Sequence, residues 1–567
     1  MNKGGLKQVF WRNNKCGFLI AFVSNMLISL FGIYISYILQ VVTDVVAGVN
    51  TSQTLTGIII WVGIALATMG IVGVIRAKSL YRFKEKAVRQ YKDELFSRIM
   101  QKGLGAFKKE SASVYLSGMT NDVTVIEESY LESIFSIGSN ILMLAGSLIM
   151  MLYYSPLLTG IAIGLSIVPI LAGVLTGKKL PGLEKNVSEK NGSFLAQVEE
   201  ILNGFSVIKC FKAESRITGI FCTNNSSLEI SKKARNIKKY EITLIGTLAG
   251  AFTQIGVFIA GAWLSLSGKG VTPGMLLLFT NLMNFIIAPI GQLPVLFAGR
   301  QAAKGLIDKM EKALEESGKE EGCIENCRHE EEIRVKDLRF SYDESKKVLD
   351  GITYAFEKGK SYAIVGASGC GKSTLIQLLL EEMSNYEGTI EYDGTELREI
   401  SPDSLYDIVS TIQQNVFVFN ASIRDNITMF MDFSKEEVDR VIQMSGLKEV
   451  IREKGEDYLC GENGSGLSGG EKQRVSIARA LLRNSRVLLI DEATAALDAE
   501  TSNLVVNEIL KLEDITRIIV THDLDGGTLQ QYDAILTMKD GKIVEDGSFE
   551  ELMNNKGYFY SLYTISQ

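Results

Sequence analysis

The 567-residue sequence predicts a chain in two parts: an all-α membrane part of six spanning helices, then a soluble α/β domain built around a phosphate-binding loop. Three observations predict it. Six long apolar stretches precede residue 300; beyond it, short β-rich runs alternate with charged helical segments; and GASGCGKST follows one of those runs. The boundaries fall at 1–310 for the membrane part, 311–332 for an acidic linker and 333–567 for the soluble domain. A formal charge of -7 with no basic stripe argues against a nucleic acid partner.

The apolar stretches cover 17–41, 55–75, 132–154, 157–177, 241–266 and 273–295, each near the roughly 20 residues that a helix needs to cross a bilayer. Lys3, Lys7, Arg12 and Lys15 precede the first. Eleven Lys or Arg lie between Arg76 and Lys109 and twelve between Lys178 and Lys239, whereas the other three connections hold only Lys269. That asymmetry predicts both termini and the soluble domain on the cytoplasmic side of a plasma membrane. The first stretch lacks an A-x-A-like cleavage site and reads as a retained helix, not a signal. KSLYRFKEKAVRQYKDELFSRIMQ continues the second stretch with helical spacing and would project about 35 Å at about 1.5 Å per residue.

Asn25, Tyr34, Tyr37, Gln40, Asn140, Gln254, Asn281, Asn284 and Gln292 supply polarity within the stretches, with no charge away from their ends. Proton relays and divalent-metal cages need carboxylates or histidines at that depth, so the pattern favours a hydrophobic or amphipathic cargo. Hydrogen bonding between neighbouring helices accounts for such polar groups equally well. Pro289, Gly291 and Pro294 predict a kink or hinge in the sixth stretch.

The linker EKALEESGKEEGCIENCRHEEE places Cys323, Cys327 and His329 close together, but with no second CxxC it reads as a solvated acidic tether, not a zinc site. Cys16, Cys210, Cys222, Cys370 and Cys460 are scattered, as suits a reducing compartment.

In the soluble domain, Gly366, Ala367, Ser368, Gly369, Cys370, Gly371, Lys372, Ser373 and Thr374 lie between the apolar run SYAIV and the helical TLIQLLLEEM. Glycines let backbone amides wrap phosphates, Lys372 neutralises the β and γ groups, and Ser373 offers an oxygen to Mg²⁺. The positive surroundings predict a lowered pKa and a reactive thiol for Cys370. RVLLIDEATAALD ends a buried strand in Asp491, suited to a water-bridged Mg²⁺ contact, and Glu492, placed to polarise a water. RIIVTHDL ends a third strand in His522. ENGSGLSGGEKQRVSIARALLR sets a second run of glycines ahead of an amphipathic helix, which reads as another phosphate cradle.

These motifs together resemble those of ATP-binding cassette (ABC) transporters, in particular half-transporters of the six-helix exporter fold, over nearly the whole chain. LSGGEKQ resembles the signature, with Ser468, Gly469, Gly470 and Glu471. The resemblance implies that Tyr342 stacks on adenine and that Gln414 touches Mg²⁺ and the membrane domain. It also implies that Asp498 lies in the D-loop and Glu462 in the X-loop, and that YLSGMTNDV and ILNGFSVIKCF dock on nucleotide domains. The α/β P-loop ATPase domain of such a protein binds ATP and Mg²⁺ and pairs head to tail with a second copy, so the second cradle serves the neighbour's ATP. Export of a drug, lipid or peptide by a homodimer is the implied function. Siderophore-like import on the same fold and a heterodimer are the alternatives.

Overall fold

The computed structural model describes residues 5–49, 54–315, 324–325, 327–342, 347–492 and 497–566. The chain divides into two compact units, Met1–Leu95 with Leu116–Glu311, and Phe96–Tyr115 with Lys312–Gln567.

Among the described residues six helices are long and apolar enough to cross a membrane. They are α1 (Lys15–Val46), α2 (Leu55–Met100), α3 (Ser133–Tyr154), α4 (Pro156–Gly177), α5 (Glu214–Leu266) and α6 (Pro273–Glu315). α2 runs unbroken for 46 residues, so the charged segment after the second apolar stretch does continue it as one helix. α6 also runs through Pro289 and Pro294 without interruption. Leu158 and Ala162 of α4, Val257 and Leu264 of α5, and Leu278, Phe279, Leu282 and Met283 of α6 form a shared core. Ile59, Ile60, Trp61, Ile64 and Ile71 of α2 face outward, as apolar side chains do where lipid is the solvent.

Several of the polar residues in the spans join helices. The Asn25 amide donates to the Phe135 carbonyl at 3.0 Å and accepts from Arg76 Nε at 2.8 Å. Gln254 donates to the Thr280 carbonyl at 3.0 Å. Just beyond the first apolar stretch, Asp44 is buried and accepts from Gln40 Nε2 at 3.1 Å, Thr272 Oγ1 at 2.9 Å and Gly274 N at 2.8 Å. This carboxylate of α1 satisfies a free amide at the start of α6.

Among the described residues the second unit holds two sheets. β1 (Glu332–Ser341), β2 (Lys347–Glu357), β4 (Glu387–Tyr392) and β5 (Thr395–Glu396) form an antiparallel sheet in the order β2-β1-β4-β5. The larger sheet also contains β3 (Ser361–Gly366), β6 (Val409–Ile412), β7 (Val487–Asp491), β8 (Thr516–Val520), β9 (Ala534–Lys539) and β10 (Lys542–Gly547), in the order β10-β9-β3-β8-β7-β6. Its pairs are parallel except β9 with β10. Every residue of β8 is buried, as expected of a strand covered on both faces, and its apolar content comes as a continuous run instead of an alternation. Helices α7 (Lys372–Leu379), α8 (Gly469–Arg483) and α9 (Ala499–Leu510) carry the chain between strands.

Two expectations need correction. Between the second and third apolar stretches, the segment that packs on Glu382 and Tyr406 of this unit is Leu104–Lys108, whereas YLSGMTNDV belongs mostly to the first unit. Leu104 N donates to Tyr406 Oη at 3.0 Å and Lys108 pairs with the buried Glu382 at 2.5 Å. A Cβ on Gly105 would lie 2.8 Å from the Glu381 carbonyl, so glycine permits the approach. The linker, moreover, is not a solvated tether over its described part. Ile324 bridges to Ile400, Cys327 N donates to Ser404 Oγ at 2.6 Å, and His329 is completely buried with Nε2 2.7 Å from Thr516 Oγ1. Cys323 lies outside the described residues, and among the described residues no cluster of His, Cys, Asp and Glu is arranged to hold a metal.

Candidate active site

Strands β3, β7 and β8 lie side by side and end at one edge, so their C-terminal tips gather the phosphate loop, Asp491 with Glu492, and His522. The loop closes on Gly371, whose φ of 106° opens α7. A side chain there would meet Leu349 Cδ2 at 2.6 Å, so only glycine fits. Lys372, the first residue of α7, is buried and donates to the carbonyls of Gly366 at 2.9 Å and Ala367 at 3.2 Å. Its ammonium is thereby held within the loop whose amides form the cradle.

Ser373 donates to Asp491 Oδ1 at 3.0 Å. Burial pushes the Asp491 carboxyl above its ordinary range; the Ser373 hydrogen bond pulls it down, and neighbouring Glu492 pushes it up again. The pair offers two hard oxygen donors in a place that disfavours uncompensated negative charge, which suits Mg²⁺.

Glu492 carries a φ of 53°, unusual outside glycine and typically worth about 1–3 kcal/mol of strain. The surroundings hold it there. Glu492 N donates to the Val520 carbonyl at 3.1 Å, Gln414 Nε2 donates to Oε2 at 2.7 Å, and His522 Nε2 lies 2.7 Å from Oε1. Both carboxylate oxygens are oriented, and each keeps lone-pair capacity for a water. The strand-tip residues and Gln414 thus meet at one edge of the sheet.

Tyr342 is 57% exposed, its ring edge-on to Phe340 at 5.0 Å and its hydroxyl 3.2 Å from Thr374 Oγ1. An open ring face beside the loop can stack on a base. Cys370 departs from expectation: it is buried, and burial raises its pKa more than Lys372 and the loop amides lower it.

Ser468 to Glu471, at the start of the signature, make no side-chain bond to this group among the described residues, whereas Gln473 at its end donates to the Glu492 carbonyl at 3.3 Å. Ser468 caps α8 in a capping box with Glu471, accepting from Glu471 N at 3.2 Å while Ser468 N donates to Glu471 Oε2 at 2.7 Å. Lys454, which the motifs did not flag, pairs with both Glu471 oxygens at 2.9 Å. Burial opposes the charge on Glu471, but Lys454 and the Ser468 amide outweigh it, and the carboxyl sits below its usual range. Ser468 and Gly469 face solvent. Asp498 caps α9 by accepting from Thr501 N at 2.9 Å. Glu462 opens a short 3-10 turn on the exposed surface.

The family profile described as ABC transporter transmembrane region matches residues 18–290, and that described as ABC transporter matches 349–495. An uncharacterized ABC transporter ATP-binding protein, YfiC of Bacillus subtilis (strain 168), is 30% identical over 84% of this chain and 80% of its own length. The chain belongs to the ABC transporters. The ATP-dependent lipid A-core flippase of Photorhabdus laumondii is 30% identical over 88% of this ABC transporter and 87% of its own length. A solved bacterial Atm1-family ABC exporter with ATP bound superimposes with a TM-score of 0.82 at 22% identity, over 98% of each chain. This ABC transporter is therefore a multi-pass membrane protein with the exporter half-transporter fold, and its nucleotide domain hydrolyses ATP to drive movement across the membrane.

Proposed function

We propose that two copies of this chain form a homodimeric exporter of an amphipathic cargo, most simply a lipid, which ATP-driven closure moves from an inward- to an outward-facing cavity. The cargo reading rests on apolar stretches with no charge away from their ends and on relatives named as lipid A-core flippases. In this reading residues 1–310 carry the cargo path, 311–332 connect, and 333–567 bind nucleotide, with both termini and the nucleotide domain in the cytoplasm.

One observation carries the catalytic assignment: Glu492 is gripped by Gln414 and His522 next to the Ser373–Asp491 pair. Gly366 to Thr374 cradle the phosphates, Lys372 neutralises them, and Tyr342 stacks on adenine. Ser373, Asp491 and Gln414 would hold Mg²⁺, which when bound neutralises charge on the phosphate oxygens. Glu492 accepts a proton from water as the water oxygen bonds to the γ-phosphorus and the bond to ADP breaks, with His522 keeping the carboxylate aimed. Ser468, Gly469, Gly470, Glu471 and Asp498 face the neighbour's ATP.

Proteoliposomes carrying a fluorescent lipid and the purified protein test the proposal. ATP should drive lipid translocation by the native protein, and Glu492→Gln should bind ATP normally, hydrolyse it about 10² or more times slower and move no lipid. Near-normal hydrolysis by that variant sinks the catalytic assignment. Normal hydrolysis without lipid movement by the native protein sinks the cargo.

A further inference from the structure

The strained residue at the β7 tip is held from a direction that the phosphate-loop logic does not supply. Gln473 lies in the second turn of α8, only 3% exposed, and its Nε2 donates to the Glu492 carbonyl at 3.3 Å. Gln414 and His522 orient the carboxylate, Val520 holds the amide, and Gln473 fixes the remaining backbone polar group of the same residue. A residue at φ 53° keeps that conformation only while its surroundings over-determine it. Rotating the peptide after Glu492 swings the carboxylate out of line with Gln414 and His522.

Gln473 belongs to the helix that Ser468 caps. The start of α8 is braced by the Ser468–Glu471 box and by Lys454, and the inward face behind it buries Val475, Ile477 and Ala478. It therefore moves as a rigid piece. One element carries the exposed cradle at its tip and, about one turn further on, the bond to this chain's own Glu492.

We propose that Gln473 is a positioning residue that holds Glu492 in its strained, aligned conformation from the signature helix. The inference rests on the reading above that the cradle at 468–471 receives the neighbour's ATP. A phosphate seated there then bears, through α8, on the base of the site formed by this chain's own phosphate loop. The ATP sites of a dimer are mechanically joined inside each subunit.

The test uses full-length protein in lipid, with Gln473→Met, which keeps the length and loses the donor, and Gln473→Glu, which keeps length and polarity but turns an acceptor toward the carbonyl. Misplacement of a reacting group by an ångström can cost about a hundredfold, so kcat should fall about tenfold or more in both variants while KM for ATP stays within about twofold. ATP should become occluded in the closed state, as in Glu492→Gln. Combining Gln473→Met with Glu492→Gln should lower hydrolysis no further than Glu492→Gln alone, because both act through one group. Val475→Ala, a core change in the same helix, should lower thermal stability while leaving the kcat loss absent.

A kcat near the native value in the Gln473 variants overturns the proposal, as does a raised KM with no occlusion, or a double variant in which the losses multiply. If Glu492→Gln occludes no ATP while the Gln473 variants still lose kcat without additivity, the positioning role stands and the shared cradle is what fails.

Discussion

Cys370 shows how one buried side chain overrules its motif. Its neighbours in sequence are the amides and ammonium that lower thiol pKa values, yet the thiol is packed where burial dominates and the shift is upward. In a variant with Cys16, Cys210, Cys222 and Cys323 changed to Ser, N-ethylmaleimide should label Cys370 slowly in the native protein and rapidly after denaturation, with ATP hydrolysis persisting meanwhile. Fast native labelling of Cys370, followed by mass spectrometry, would refute this. His329 titrates in the opposite sense from most stabilising histidines. Burial, outweighing the attraction of Asp393, lowers its pKa below the ordinary 6.5. The unfolded chain therefore takes up a proton at a pH where the folded chain does not, and stability falls as pH drops from about 6.5 toward the lowered native value. Denaturant melts of the nucleotide domain in the intact protein should show that decline between about pH 7 and 5, and His329→Gln should flatten it. An unchanged slope in His329→Gln would assign the decline to other groups.

At the scale of elements, what the sequence made legible was local. Long apolar runs located all six spans, helical spacing carried α2 past the membrane, and the runs SYAIV, VLLI and RIIV marked three parallel strands because strands buried on both faces need no alternation. The signature helix was legible from its amphipathic spacing, and the structure adds the capping box of Ser468 and Glu471 at its start. What escaped depends on partners distant in sequence: Gln473 on the Glu492 carbonyl, Leu104 on Tyr406, His329 on Thr516, and Asp44 on Gly274. None has a period to announce it, and the motif that ends in Gln473 does not point to Glu492. Asp44 shows what such a contact contributes, since from α1 it accepts from Gly274 N, an amide that the helix's own cap, Thr272 on Met275 N, leaves over. Asp44→Ala should lower stability in detergent by about 0.5–2 kcal/mol, the usual cost of a lost cap, while Asp44→Asn, which can still accept from Gly274 N, should retain most of it. Equal thermal shifts in the two variants would mean that charge, not the cap, is what matters there.

At the scale of the whole molecule, the chain gathers Ser373, Asp491, Gln414, Glu492 and His522 at one sheet edge and carries, separately, a solvent-facing helix start at Ser468 and Gly469. The proposed resolution is that each cradle is half of a pocket completed by a second copy. Lys372→Ala spoils the phosphate loop of one subunit, and Ser468→Arg fills the signature cradle of the other with a bulky cation. In a mixed dimer of these two, head-to-tail pairing puts both lesions into one pocket and leaves the second pocket intact, built from the phosphate loop of the Ser468→Arg subunit and the signature of the Lys372→Ala subunit. Self-contained subunits would leave no intact pocket. With Glu492→Gln added to both chains, bound nucleotide can be counted without turnover. About one tightly held ATP per mixed dimer is expected, and almost none in either mutant homodimer, because amides at a helix start and a phosphate loop must both meet the same anion to hold it. Differential tags establish that the mixed dimer has assembled. No ATP in that assembled species would mean that Ser468 to Glu471 serve their own chain's nucleotide, and the head-to-tail homodimer would have to be given up.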